Sequence, residues 1–91
     1  MPQVHVIISG KVQGCFFRMH THKKATALKL TGYVRNLPDE TVEAYAEGPQ
    51  EKLEEFVQFC HEGPPAAQVE NVDVEWMDEE KNQFTFFQMI Q

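Results

Sequence analysis

The sequence predicts an α+β fold in which two helices cover one face of a mainly antiparallel β-sheet. Three observations predict it. The chain has 91 residues, 42% of them hydrophobic and 24% charged, which is the composition of one globular domain spanning residues 1–91. Short segments with alternating apolar residues are interrupted by two longer segments with apolar residues at helical spacing. These segments follow one another in the order β-α-β-β-α-β, with a short strand at the end.

The first half of the chain predicts a strand, a loop and a helix. Residues 4–9 are rich in β-branched side chains, and apolar residues occupy both parities, which is typical of a central strand. Glycines at both ends of residues 10–14 indicate a loop. Residues 17–30 contain neither Gly nor Pro, and an apolar stripe recurs there at helical spacing. The stripe consists of Phe17, Thr21, Ala25 and Leu28.

A hairpin and a second helix are predicted next. Residues 33–37 and 42–47 alternate between apolar and polar side chains, and residues 38–40 between them have turn composition. The second helix begins at Gly48-Pro49, because proline suits the first helical position. It ends at Gly63, which two prolines follow. Its apolar stripe consists of Leu53, Phe56, Val57 and Cys60.

Two further strands complete the pattern. Residues 72–76 alternate, residues 77–82 form a charged turn, and residues 84–90 form an apolar last strand. This order of elements is the split βαβ, or ferredoxin-like, arrangement. Because many unrelated functions share that arrangement, the fold alone predicts no activity.

Charge and cysteine content restrict the partners and the compartment. The net charge is −6, which disfavours a nucleic-acid binder, yet residues 1–38 contain six basic and no acidic side chains. This asymmetry fits either an unevenly charged surface or a first part that faces a small anion. No apolar segment approaches the ~18 residues that span a bilayer, and the first residues lack a signal-peptide pattern. The two cysteines, Cys15 and Cys60, are far apart and stand in no metal-ligand spacing. A reducing compartment is the simplest for such a chain, so we expect a cytoplasmic protein. We expect no membrane partner.

The loop that precedes the first helix is the candidate binding site. Backbone N–H groups of such a loop and of the first helical turn lack intrahelical partners and can converge on an anion. Arg18 stands at the helix start, where the helix dipole disfavours a cation unless an anion lies between the two. The alternative is that Gly10 and Gly14 serve a tight turn and Arg18 is a solvated surface residue. The pattern is no Walker loop, since no Gly-Lys-Ser/Thr follows.

For the other candidate residues, a structural role is favoured over a catalytic or binding role. His20 and His22 are two apart on a helix and point to different sides, so no metal site is predicted. Cys15 beside the loop is either a nucleophile or a packing residue. The aromatic residues of the last strand could stack on RNA bases, but the acidic charge and the missing basic-glycine-aromatic signature oppose this.

Four motifs together resemble the acylphosphatase family, and the resemblance extends in order along essentially the whole chain. They are GKVQGCFFR at residues 10–18, GYVRN at 32–36, VE at 42–43 and GPP at 63–65. The family consists of small, cofactor-free enzymes that hydrolyse the carboxyl–phosphate bond of acyl phosphates. The resemblance therefore implies a ferredoxin-like hydrolase that acts on a small-molecule acyl phosphate without a cofactor. No carboxylates cluster near the loop, and the first acidic residue is Asp39, so we expect turnover without a metal ion. We also expect a monomer.

The same resemblance assigns roles to residues of this chain. Arg18 would bind the substrate phosphate, and Asn36 would position the attacking water. The backbone N–H groups that would join Arg18 belong to Gln13, Gly14, Cys15, Phe16 and Phe17. The alternative is an acylphosphatase-like module that binds phosphate, a carbamoyl-phosphate-type ligand or a partner protein without turnover.

Four residues depart from the family pattern. Cys15 stands for a valine and Tyr33 for a tryptophan, and both keep an apolar packing role. Lys29 replaces a glycine at the end of the first helix, where a left-handed conformation costs roughly 1 kcal/mol for other residues. Glu40 replaces the glycine of an Asp-Gly turn, so we expect an effect on the hairpin that follows Asn36.

Overall fold

A five-stranded mixed sheet and two helices form the structure, a computed structural model that describes residues 1–90. The elements follow the predicted order. They are β1 (Gln3–Lys11), α1 (Phe17–Ala27), β2 (Thr31–Asn36), β3 (Val42–Glu47), α2 (Gln50–Glu62), β4 (Gln68–Met77) and β5 (Phe87–Ile90). The strand order across the sheet is β4-β1-β3-β2-β5. All pairs are antiparallel except β2 and β5, which are parallel. The ferredoxin-like prediction is therefore confirmed.

The hydrophobic core lies between one face of the sheet and the two helices. The side chains of Val4, Val6 and Ile8 in β1 are fully buried there, as the central position of this strand requires. The predicted stripes of both helices face the same core, and the rings of Phe17 in α1 and Phe59 in α2 lie 6.2 Å apart. Within residues 1–90, no helix is long and apolar enough to cross a membrane.

Helix α1 ends at Ala27, three residues before the predicted end. Lys29 has φ 60°, the left-handed conformation that the family's glycine adopts more easily. The N–H of Leu30 donates to the Ala25 carbonyl at 2.9 Å, and the N–H of Lys29 donates to the Thr26 carbonyl at 3.0 Å. This pair of bonds is a Schellman motif, which turns the chain into β2 two residues earlier than predicted.

Strands β1 and β4 are both longer than predicted because their pairing continues across a β-bulge. Ser9 pairs with Asn71 and Gly10 with Val69, so Glu70 is an extra residue on β4. Gly10 has φ 126°, and a Cβ atom there would lie 2.2 Å from the carbonyl oxygen of Gln68. The bulge thus requires a glycine at residue 10, which was predicted to lie in a loop.

Strand β5 is shorter than predicted because Phe84, the first residue of the predicted strand, binds elsewhere. The N–H of Phe84 and the N–H of Gln83 donate to the carboxylate of Glu47 at 3.1 and 2.6 Å. The Phe84 ring packs against Tyr33 and Tyr45 on the sheet face opposite the helices. Glu47 is only 1% exposed and also accepts hydrogen bonds from the hydroxyl groups of Thr31 and Tyr45. This buried carboxylate therefore holds the chain that leads into β5.

The hairpin between β2 and β3 closes despite the replacement of its glycine. Glu40 adopts the left-handed conformation itself, with φ 71°. The N–H of Leu37 donates to the Thr41 carbonyl at 2.9 Å, and the N–H of Glu40 donates to the Leu37 carbonyl at 3.2 Å. The turn after Asn36 is thus closed by two backbone hydrogen bonds.

Candidate active site

The loop between β1 and α1 leaves several backbone donors free. Gly14 has φ 77° and Phe16 has φ 62°, so the chain turns sharply twice before α1 begins at Phe17. In the part of the chain that the structure describes, the N–H groups of residues 14–17 donate to no protein acceptor. Free N–H groups at a helix start, together with the helix dipole, favour a negatively charged ligand.

A single pocket brings Arg18 and Asn36 together. Arg18 lies in the first turn of α1, and Asn36 is the last residue of β2. Strand β3 lies between β1 and β2 and is antiparallel to both. The carboxyl ends of β1 and β2 therefore lie at the same end of the sheet. The pocket has a volume of about 320 Å³. Its lining residues are Val12, Gly14, Phe16, Phe17, Arg18, Met19, Asn36 and Met89.

The guanidinium of Arg18 is held from outside the pocket by β5. Nη1 donates to the carbonyl oxygen of Ile90 at 2.8 Å. A guanidinium has five N–H donors in a planar fork, so this one bond orients the group and leaves the other donors for a ligand. Arg18 and the free N–H groups of the loop belong to the same end of α1, and Gly14, Phe16 and Phe17 line the pocket together with Arg18.

The side-chain amide oxygen of Asn36 is a hydrogen-bond acceptor without a donor in the described residues. Oδ1 is buried and, within residues 1–90, accepts no hydrogen bond. A buried amide oxygen without a donor costs about 1–3 kcal/mol. Such a cost is typical of a position where a ligand or an ordered water completes the hydrogen bonding.

Gln13 connects the loop to the hairpin that carries Asn36. Its side-chain Nε2 donates to the carbonyl oxygens of Leu37 at 3.0 Å and Thr41 at 2.9 Å. The resemblance to the family implied a role for the backbone N–H of Gln13 alone. The structure adds a side-chain bridge between the two sides of the pocket.

The remaining candidate residues lie outside the pocket. Cys15 is half-buried against the core, with its Sγ 3.9 Å from the Lys11 carbonyl oxygen. His22 Nε2 lies 3.0 Å from the Phe87 carbonyl oxygen. Burial raises the pKa of the Cys60 thiol to about 12, which makes it unreactive. Across residues 1–90, no three His, Cys, Asp or Glu side chains cluster as metal ligands do.

A second polar cluster occupies the open face of the sheet. The Glu43 carboxylate lies between His5, whose Nε2 is 2.7 Å from Oε2, and Arg35, whose Nε donates to Oε1. Burial alone would raise the pKa of Glu43, but the hydrogen bonds from His5 and Arg35 outweigh it and hold the pKa below its usual value. The cluster thus contains a charged network on the side of the sheet away from the helices.

Three residues of the pocket lining had no predicted role in the site: Val12, which belongs to the loop motif, Met19 and Met89. Met19 belongs to the exposed side of α1, where the apolar stripe gives no reason to single it out. Met89 reaches the pocket only because β5 lies beside β2 in parallel, with Met89 opposite Val34. No pattern in the sequence indicates that pairing.

The fold and the pocket define a small ferredoxin-like sandwich protein with a candidate anion site at a helix start. The model of the acylphosphatase family matches residues 4–89. The chain therefore belongs to the acylphosphatase family and is a hydrolase of that family.

Relatives and solved structures agree with this assignment. An acylphosphatase from Pelotomaculum thermopropionicum is 53% identical over 76 residues, which is 84% of this chain and 83% of the relative. The crystal structure of acylphosphatase from Bacillus subtilis matches with a TM-score of 0.93 at 33% identity, over 100% of both chains. An acylphosphatase from Coxiella burnetii matches with a TM-score of 0.86 at 41% identity, over 97% of this chain and 90% of that one.

Proposed function

We propose that this chain hydrolyses acyl phosphates to a carboxylate and inorganic phosphate, with Arg18 and Asn36 as its catalytic residues. The observation that carries the proposal is that one pocket is lined by Arg18, by Asn36 and by three loop residues, Gly14, Phe16 and Phe17, whose N–H groups have no protein acceptor. Membership of the acylphosphatase family supports the same substrate class.

The chemistry of the substrate sets what the pocket must do. An acyl phosphate is a mixed anhydride whose carboxylate leaves readily, so no strong general acid is required. The enzyme has to hold the dianionic phosphoryl group, offset its charge and aim a water in line with the leaving oxygen. Water attacks phosphorus, the bond from phosphorus to the acyl oxygen breaks, and the carboxylate departs with that electron pair.

Arg18 and the loop hold the phosphoryl group in this proposal. A guanidinium matches two phosphate oxygens with its planar fork, and charge-assisted hydrogen bonds are roughly twice as strong as neutral ones. The backbone N–H groups of Gln13, Gly14, Cys15, Phe16 and Phe17 supply further donors. The bond from Arg18 to the Ile90 carbonyl orients the guanidinium before the substrate arrives.

Asn36 positions the attacking water in this proposal. Its unmet side-chain oxygen can accept a hydrogen bond from that water and so fix its orientation. An amide is a poor base, so the proton goes to a phosphate oxygen of the substrate or to bulk water. Asn36 therefore contributes through orientation rather than through proton transfer.

We also propose that the chain acts as a single domain over residues 1–91, as a monomer in the cytoplasm, without a cofactor. The free thiols of Cys15 and Cys60 suit a reducing compartment. The metal-free mechanism is tested by hydrolysis of benzoyl phosphate and acetyl phosphate in EDTA, and activity lost with EDTA and restored by Mg²⁺ would refute it.

Arg18→Ala tests the phosphate-binding role. Loss of a charge-assisted contact worth about 1.5–3 kcal/mol should lower kcat/KM and weaken inhibition by inorganic phosphate, each by about 10- to 100-fold. Arg35→Ala is the matched control, because it removes the same charge from the exposed face of β2. Unchanged inhibition by phosphate in Arg18→Ala would remove this residue from the site.

Asn36→Ala tests the water-positioning role. Removal of one preorganised polar group should lower kcat by about 10²–10³-fold while inorganic phosphate still binds. Asn71→Ala, on the exposed surface of β4, is the control. A wild-type kcat in Asn36→Ala would end the assignment. Tight phosphate binding by the native chain without hydrolysis would instead favour a binding module.

A further inference from the structure

We infer that the acyl group of the substrate lies against an apolar rim of the pocket, formed by Phe16, Met19 and Met89. The enzyme then favours acyl phosphates whose acyl group is an uncharged hydrocarbon chain or ring. The inference rests on the proposed function, because it assigns the part of the substrate that the phosphate-binding groups leave unbound.

The rim is a concentration of exposed apolar side chains. Among residues 1–90, six large hydrophobic side chains are exposed, and three of them line this one pocket. The exposed fractions are 71% for Phe16, 49% for Met19 and 41% for Met89. Single exposed hydrophobic residues are ordinary, but a cluster at the mouth of a polar site indicates a ligand surface.

Three separate elements contribute the rim residues. Phe16 comes from the loop, Met19 from α1 and Met89 from β5. Arg18 precedes Met19 in the chain and bonds the carbonyl of Ile90, the residue after Met89. The rim therefore borders the guanidinium, and an acyl group attached to a phosphate held there has to pass beside it.

The rest of the pocket lining predicts the polarity of the acyl group. Arg18 and Asn36 are its polar side chains, and the other lining residues are glycine or apolar. A charged acyl group would lose water along the rim without gaining a partner there, which is unfavourable. With about 320 Å³, the pocket has room for a phosphate and several carbon atoms.

The conformation of Phe16 gives independent support. A bulky residue with positive φ is uncommon, and Phe16 has φ 62° while its ring stays exposed. Strained residues of this kind concentrate at ligand sites. The two methionines are flexible and adapt to different shapes, so we expect a preference that rises gradually with acyl size.

The test compares acetyl, butanoyl and hexanoyl phosphate, because straight-chain carboxylates are leaving groups of nearly equal basicity. We expect kcat/KM to rise about 10-fold from acetyl to hexanoyl phosphate, since a half-exposed rim recovers part of the transfer free energy of four methylene groups. Wild-type kinetics that are flat across the series, with normal hydrolysis of acetyl phosphate, would overturn the rim and leave the proposed function intact.

Met19→Ala combined with Met89→Thr should reduce the 10-fold preference to about 3-fold or less. Met19→Ala alone should give an intermediate preference, and alanine favours an exposed helical position, so this variant is expected to fold. Inhibition by inorganic phosphate reports whether the phosphate-binding groups are still in place. Trp76→Ala is the control, because Trp76 is also exposed but lies on β4, the opposite edge strand. An unchanged preference in folded Met19→Ala and in the double variant would overturn the inference.

Absence of hydrolysis for every acyl phosphate would refute the proposed function rather than the rim. The rim is then tested by calorimetry with methylphosphonate and hexylphosphonate. Tighter binding of hexylphosphonate, weakened by the double variant, would support the rim, and equal binding of the two would overturn it.

Discussion

Replacing Gln13 with alanine should separate the two sides of the pocket. The Gln13 side chain donates from one nitrogen to the carbonyl oxygens of Leu37 and Thr41, at 3.0 and 2.9 Å. Leu37 directly follows Asn36, so the bridge sets the position of the loop donors relative to the Asn36 amide. Its loss should therefore lower both stability and turnover.

The magnitude follows from two partly buried hydrogen bonds. Each contributes about 0.5–1.5 kcal/mol net, so Gln13→Ala should lower the free energy of unfolding by about 2 kcal/mol. For a domain of this size, that corresponds to a fall in Tm of roughly 8–16 °C. Displacement of a catalytic group by a fraction of an ångström should lower kcat by about 10-fold, since a 1 Å misplacement can cost about 100-fold.

The assay combines urea unfolding with the kinetics of benzoyl phosphate hydrolysis. Gln58→Ala is the matched control, because Gln58 also donates through its amide, at 3.0 Å to Glu62, but on the exposed surface of α2. Such a pair is worth about 0.2–0.5 kcal/mol and lies away from the pocket. If Gln13→Ala keeps the unfolding free energy and the kcat of the wild type, the bridge does not position the hairpin.

Three further predictions concern the rest of the fold. Lys29→Gly should raise the free energy of unfolding by up to about 1 kcal/mol, because glycine adopts φ 60° without strain, and a lower Tm would contradict this. Glu47→Gln should cost about 3 kcal/mol in urea unfolding, since an amide cannot accept all four hydrogen bonds that the carboxylate receives, and a loss below 1 kcal/mol would contradict it. Burial opposes the charge of Glu43, but its bonds to His5 and Arg35 lower its pKa below 4.5. Stability from this network is present above about pH 4.5 and is lost as the pH falls through the lower folded pKa, so Glu43→Gln should flatten the acid limb of the unfolding free energy.

The order and type of the elements could be predicted from the sequence because local patterns determine them. The ends of several elements could not. The alternation that identifies β4 from residue 72 is interrupted at Glu70, and only the pairing of Gly10 with Val69 shows that the strand continues across a bulge. The early end of α1 depends on whether Lys29 accepts a left-handed conformation, which its side chain disfavours but the path into β2 requires.

In the candidate site, too, the residues of local motifs could be predicted and those that depend on strand pairing could not. Arg18 and Asn36 belong to short motifs, so the sequence could single them out, and the structure brings both to one pocket. Met89 and the carbonyl of Ile90 reach that pocket through the parallel pairing of β5 with β2, which no local pattern indicates. The bridge from Gln13 depends on the position of a turn more than twenty residues further along the chain.

The place of β3 between β1 and β2 has a consequence for folding. Arg18 follows β1 and Asn36 ends β2, and these two strands are not neighbours in the sheet. The two residues therefore come close only after β3 has paired with both strands. Such non-local pairing is slow compared with helix formation, so a chain that has formed only α1 still lacks a pocket. Ligand binding in a refolding experiment would therefore appear with the completed sheet and not with the early gain of helical signal.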